Sequence, residues 1–171
     1  MIKVGDTLPS ATLQEYSEIE GEGCSIGPNP VKVGQASAGK TIALFGLPGA
    51  FTPTCSAKHV PGYVEQAEAL KAAGVDEIWC VSVNDPFVMG AWGREQKTAG
   101  KVRMMADGSA AFTNATGLTL DLTARGMGVR SQRFSMLVKD GVVKALNIEA
   151  PGKFEVSDAK ILVDQAKALK G

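Results

Sequence analysis

Apolar and polar positions along the chain fall into short periods of two kinds. TIALFGL (41–47) is a continuous, partly β-branched apolar run bounded by Lys40 and Pro48, which predicts a buried strand. EIWCVSV (77–83) predicts a second buried strand and VRMMAD (102–107) a third. Between the first two, from Thr54 to Ala73, the spacing turns helical. Val60, Val64, Ala67 and Leu70 fall near one face, Pro61-Gly62 should kink or divide the helix, and Gly74 closes it. NDPFVMGAWGREQ opens another helix, with Asp85 as N-cap and Pro86 at the first helical position. A short helix is expected around Ala110 to Thr116. SMLVKDGVVKALNIE has the form of a hairpin turning at Asp140-Gly141. SDAKILVDQAKALK has the form of a terminal helix behind a Ser-Asp cap, with Ile161, Leu162, Ala166 and Leu169 on one face. The first thirty residues look like an irregular arm, with Ser25, Ile26 and Val31 to Val33 as strand fragments.

The order β-α-β-α-β, short helix, hairpin, terminal helix implies an α/β protein with a mixed central sheet flanked by helices. It is the element order of a thioredoxin-like fold with an N-terminal extension. No repeat, linker or low-complexity tract divides the 171 residues, so residues 1–171 are expected to form a single domain with a real core.

Charge and cysteine content narrow the function. Eighteen Lys and Arg balance eighteen Asp and Glu, and no basic excess points to nucleic acid or an anionic membrane. No apolar run approaches the ~20 residues that span a bilayer. MIKVGDTLPSATLQ has no hydrophobic signal core, so a cytoplasmic location is expected. Three cysteines (Cys24, Cys55 and Cys80) are too few and too odd for a disulfide framework, and suit a reducing compartment. No two form a C-x-x-C pair and His59 is the only histidine, so neither a metal site nor a cofactor is implied.

Two motifs compete for the chemistry. GQASAGKT (34–41) fits the phosphate-loop pattern, with Gly34, Gly39, Lys40 and Thr41 in place. Such a loop must follow a strand and open a helix whose N-terminus holds the phosphates. Here the Lys-Thr pair leads into IALFGLPG, which has no helical period, so a turn before a strand is expected and not an NTPase. FTPTCSAKH is different. Thr52 is a good N-cap, Pro53 falls at the first helical position, and Cys55 falls in the first turn, near free amides and the positive end of a helix dipole. That setting favours thiolate over thiol and makes Cys55 a candidate nucleophile. A buried structural cysteine is the plain alternative. His59, four residues on, could serve as a base only if its ring folded back along the helix, and could equally be structural.

PGAFTPTC resembles the P-x-x-x-T-x-x-C active-site signature of the peroxiredoxins. With VGDTLPSATL, GLPGAFTPTCSAKHVPGY, EIWCVSVNDPFVMGAWG and GVRSQRFSMLVKDGVV, the chain is similar over nearly its whole length to the type II branch, which includes plant-type and bacterial glutaredoxin-linked members. The resemblance implies a thiol-dependent peroxidase acting on hydrogen peroxide and alkyl hydroperoxides through a sulfenic acid on Cys55. It places Thr52 as the residue that binds peroxide and contacts the thiolate, Pro48 as the shield of the sulfur, and Arg133 as the active-site arginine. Arg130 is a candidate second cation. Cys80 corresponds to a possible resolving cysteine, although in a buried strand it could equally be a small core residue; Cys24 has no counterpart in the family mechanism. The tail after Val142 lacks the late resolving cysteine of the animal type II enzymes, which favours external reduction by glutathione with glutaredoxin, or by thioredoxin. Relatives use the region of Phe87, Met89 and Trp92 for a dimer face, so a homodimer is implied, against a core-facing stripe. A peroxide-sensing redox switch without efficient turnover is the alternative function.

Overall fold

The computed structural model describes residues 1–18, 21 and 25–170. The elements in chain order are β1 (Thr12–Ser17), β2 (Gly27–Lys32), α1 (Val33–Ser37), β3 (Thr41–Gly46), a π-helical turn (Cys55–His59), α2 (Val60–Glu65), α3 (Ala67–Ala72), β4 (Glu77–Ser82), α4 (Pro86–Gln96), β5 (Arg103–Ala106), α5 (Ala111–Thr116), β6 (Thr119–Leu122), a 3₁₀ turn (Thr123–Arg125), β7 (Gly128–Ser131), β8 (Phe134–Lys139), β9 (Val142–Ile148) and α6 (Ala159–Lys170).

Seven strands form a mixed sheet in the order β2-β1-β5-β4-β3-β8-β9. β3 runs parallel to β4 and antiparallel to β8, and β4 runs parallel to β5. The three apolar runs occupy the middle because both sheet faces are covered. On one face Ala43, Phe45, Ile78 and Cys80 pack with α2, α3, α4 and α6. On the other, Ile42, Leu44, Trp79 and Val81 pack with α1 and α5. The strand alternation thus feeds two cores, one on each side of the sheet.

Several expectations hold as drawn. Asp85 caps α4, its Oδ1 accepting from the Val88 amide at 2.8 Å with Pro86 just inside the helix. Asp140 (φ 49) and Gly141 (φ 78) make the β8–β9 turn, both in the left-handed region that a tight hairpin requires. The phosphate-like segment ends in a turn before β3. Gly39 has φ 70, and Lys40 Nζ lies 2.7 Å from Glu77 Oε2 at the start of β4. Burial would raise the Glu77 pKa, but bonds from Lys40, Trp79 and Arg103 outweigh it and bring it down to about 2.

Others need correction. The N-terminal arm is not irregular throughout, because β1 and β2 join the main sheet beside β5. β2 carries Pro28 and Pro30, which a central strand would exclude, and it is tolerated because it is the edge. Ser25 and Ile26 precede the strand, Val33 opens α1, and Cys24 lies outside the described residues. The helix after Cys55 changes from a π turn to α2 at Val60, next to the expected division at Pro61-Gly62, and breaks a second time at Gln66 (φ −93, ψ 8). On α6 the buried positions are Ala159, Leu162, Val163 and Ala166; Ile161 is half-buried and Leu169 is 36% exposed. The β6–β7 hairpin was not anticipated, because its segments are short and rich in Thr, Gly and Arg.

Candidate active site

The site forms where β3 ends and β8 begins. Strand β3 delivers Leu47 and Pro48 to a turn in which Phe51 has φ 64, a left-handed conformation unusual for a large side chain. The turn is held from several sides. The Ala50 amide donates to Asn84 Oδ1 at 2.9 Å, and the Thr52 hydroxyl donates to the Gly49 carbonyl at 2.7 Å. Arg130 donates from Nη1 to the Pro48 carbonyl at 3.2 Å and from Nε to the Met127 carbonyl at 2.9 Å. Gly49 permits that approach, since a Cβ there would lie 2.8 Å from Arg130 Nη1. Arg130 therefore grips the turn backbone.

Cys55 follows Thr52 as expected, and the Ser56 amide bonds back to the Thr52 carbonyl at 3.0 Å. The helix then opens into a π turn, the Val60 amide reaching the Cys55 carbonyl. Pro61 has no N–H to give the Ala57 carbonyl, so the regular α-helical ladder has a missing rung at this point. Trp92 of α4 donates from Nε1 to Ser56 Oγ at 3.0 Å, tying the turn to its neighbouring helix. Met89 and Trp92 are fully buried, while Phe87 is 63% exposed; one predicted stripe splits between core and surface.

Cys55 has no accessible surface, and Cys80 is equally buried in β4. The sulfur is nevertheless not in a purely apolar site. Arg133, immediately before β8, donates from Nη2 to Cys55 Sγ at 3.0 Å. Among the described residues this guanidinium, and not a helix-start amide, supplies the hydrogen bond to the sulfur. The other arm of the fork, Nη1, lies 2.8 Å from His59 Nδ1. His59 is fully buried, and burial, then the Arg133 charge, lower its pKa to about 3, so the ring is neutral. It is therefore no proton-loaded acid at neutral pH.

A cleft of about 250 Å³ opens over this corner, lined by Pro48, Thr54, Leu120, Arg133, Pro151 and Lys153 among others. Pro48 and Arg133 line the cleft and Arg133 reaches Cys55, while the Thr52 hydroxyl is turned to the Gly49 carbonyl three residues before the cysteine. Burial, then the nearby Cys55, push the Cys80 thiol well above its ordinary range, with Arg133 opposing. Sequence reasoning missed His59 as the Arg133 partner, and it missed Glu149, Phe154 and Ser157. Nothing in the spacing of Glu149 placed it beside Arg133.

The Redoxin family profile matches residues 3–163. Peroxiredoxin-2B of Arabidopsis thaliana is 49% identical over 168 residues, covering 98% of each chain. The chain belongs to the peroxiredoxin family. Among solved structures, a peroxiredoxin of Vibrio vulnificus, reduced Prx3 in complex with hydrogen peroxide, is 48% identical with a TM-score of 0.89, covering 97% of this chain and 99% of that one. A Burkholderia cenocepacia protein provisionally described as a thioredoxin reductase is 68% identical with a TM-score of 0.95, covering 96% of this chain and 97% of that one. The present chain has no C-x-x-C pair, and its likeness to named peroxiredoxins covers its whole sheet. As a peroxiredoxin it is a thiol-dependent peroxidase with the thioredoxin-like fold, acting on peroxide with a reductant. No helix among the described residues is long and apolar enough to cross a membrane.

Proposed function

We propose that Cys55 is the peroxide-reacting thiol, and that Arg133, Thr52 and Pro48 complete its site. The observation that carries this is the 3.0 Å hydrogen bond to Cys55 Sγ from Nη2 of Arg133, a residue that also lines the cleft. A guanidinium cannot give up its proton in a protein, so it stays a fixed cation beside the sulfur as the reaction proceeds. The thiolate attacks one peroxide oxygen, an S–O bond forms, and the O–O bond breaks. Cys55 becomes a sulfenic acid, and the leaving hydroxide or alkoxide takes a proton from solvent. Negative charge moves from sulfur to the leaving oxygen, where a fixed cation counts most. The Thr52 hydroxyl spends its proton on Gly49, so its lone pairs are free to accept from a peroxide O–H. Pro48 walls the cleft with no N–H of its own.

Reduction of the sulfenic acid is external in this proposal, by glutathione with glutaredoxin or by thioredoxin. Cys80 is held in the central sheet with its thiol pushed up by burial, so an internal Cys55–Cys80 disulfide requires local unfolding. A homodimer is supported by exposed Phe51 (50%) and Phe87 (63%), the latter in ring contact with Tyr16, beside the site. We place the protein in the cytoplasm on its free thiols, Cys55 and Cys80, which suit a reducing compartment. Light scattering and cell fractionation test these two points. The central test is hydrogen peroxide turnover with each reductant system, in wild type, Cys55→Ser and Cys80→Ser, with mass spectrometry after one equivalent of peroxide. Turnover lost only in Cys55→Ser, with a glutathione adduct on Cys55, is expected. Stoichiometric oxidation without turnover favours the sensing alternative, and turnover surviving Cys55→Ser overturns the assignment.

A further inference from the structure

We infer that His59 is a positioning residue that aims the Arg133 fork at Cys55 by accepting one arm of it on a neutral ring nitrogen. This rests on the proposed role of Arg133. A guanidinium is planar and carries only donors. Fixing Nη1 on His59 Nδ1 at 2.8 Å therefore fixes the direction of Nη2, which lies 3.0 Å from Cys55 Sγ. Without that anchor, rotation about the end of the side chain would carry Nη2 off the sulfur.

The donor-only chemistry of arginine also dictates the tautomer. Nδ1 must present a lone pair, so the single ring proton sits on Nε2. Nε2 lies 3.1 Å from the Ser157 carbonyl, which accepts it. Tyr63 donates to the same carbonyl at 3.0 Å. Ser157 is held in turn by Glu149, whose Oε2 accepts from the Ser157 amide at 2.8 Å and its hydroxyl at 2.7 Å. The Glu149 amide donates to the Arg133 carbonyl at 3.0 Å. The bonds thus close a circuit: Arg133 side chain, His59, Ser157, Glu149 and back to the Arg133 backbone. Phe154 closes it sideways, its ring centroid 5.0 Å from that of His59 and 5.8 Å from the guanidinium carbon. Phe45 and Tyr63 flank the imidazole from β3 and α2.

The choice of histidine has a physical rationale. A carboxylate would position the fork equally well but would neutralise much of the charge that Cys55 needs. A neutral imidazole positions it and leaves the cation intact. Burial and the adjacent guanidinium keep the ring in that neutral form.

His59 is the only histidine in the chain, so selective ¹⁵N-histidine labelling reads it without assignment. At pH 7 in the reduced, full-length protein, the spectrum should show Nε2 protonated and Nδ1 bare. Single-turnover oxidation of Cys55 by hydrogen peroxide then separates positioning from packing. His59→Asn retains an acceptor near Nδ1, whereas His59→Leu retains apolar volume and offers none. We expect Leu to react about 10- to 100-fold more slowly than Asn, the loss of one hydrogen bond to a charged group. A protonated Nδ1, or a Leu variant at least as fast as Asn, overturns the inference. Neither outcome touches the Cys55 assignment, which falls only if Cys55→Ser still consumes peroxide; should the Leu variant not fold, the wild-type spectrum still decides.

Discussion

Replacing Arg133 by methionine removes the one cation that, among the described residues, touches the Cys55 sulfur, while keeping a long, flexible apolar stem. Two losses follow, and they land on different observables. The first is the Nη2 bond to Sγ at 3.0 Å. A fixed donor facing developing negative charge is worth about 2.7–4 kcal/mol, so oxidation of Cys55 by hydrogen peroxide should slow by about 10²–10³-fold. The second is the Nη1 bond, whose loss leaves the buried His59 Nδ1 without a donor. An orphaned buried acceptor costs about 1–3 kcal/mol, and that cost falls on folding stability. Arg133→Lys should lie between wild type and Met. It keeps a charge, but a single ammonium cannot reach Sγ and Nδ1 with the geometry of a planar fork. Trp92 is a convenient reporter for stopped-flow fluorescence, since its Nε1 bonds Ser56, the residue after Cys55. Urea unfolding of each variant supplies the stability arm. A folded Arg133→Met protein reacting within about threefold of wild type would refute the reasoning, because a lost buried donor could not then be worth even 1 kcal/mol.

Other consequences are as direct. Gly46→Ala should destabilise the fold by about 1–3 kcal/mol in denaturant titration, because its Cβ would lie 2.1 Å from the Phe134 ring and force β3 and β8 to shift; an unchanged midpoint would show that the ring has room to move. Stability should fall on acidification below about pH 6.5, since the unfolded chain protonates His59 while the folded one, with a pKa of about 3, does not. Between pH 7 and 5 this amounts to about 2 kcal/mol, visible as a steeper loss in wild type than in His59→Asn; parallel curves would mean that the folded ring takes up the proton. Cys80→Ala should cost about 1 kcal/mol of stability as a small core truncation yet leave turnover with an external thiol unchanged; a block after the first oxidation would assign resolution to Cys80.

The local grammar of the chain was legible. TIALFGL and EIWCVSV have the pattern of buried strands, Asp85-Pro86 that of a helix start and Asp140-Gly141 that of a hairpin turn, and each element forms. Each signal lies within a few residues of its effect. Where a local rule was read too simply, a neighbour intervened. The disruption expected at Pro61 takes the form of a π-helical turn ahead of α2, and a second break falls at Gln66. β2 hid behind two prolines that only an edge position allows.

The sequence by itself thus determined the strands, the caps and a cysteine placed just after a strand end, since these depend on backbone preferences and periods of two and 3.6 residues. Spacing alone could not bring Arg133 to that sulfur across 78 residues, a role that only the family resemblance implied, or to His59 across 74, nor could it show that Cys55 has no surface of its own. Those facts depend on how side chains from the residue before β8, the π turn and the 149–157 loop interlock once the sheet has formed. Packing, and not spacing, decides which donor meets which lone pair.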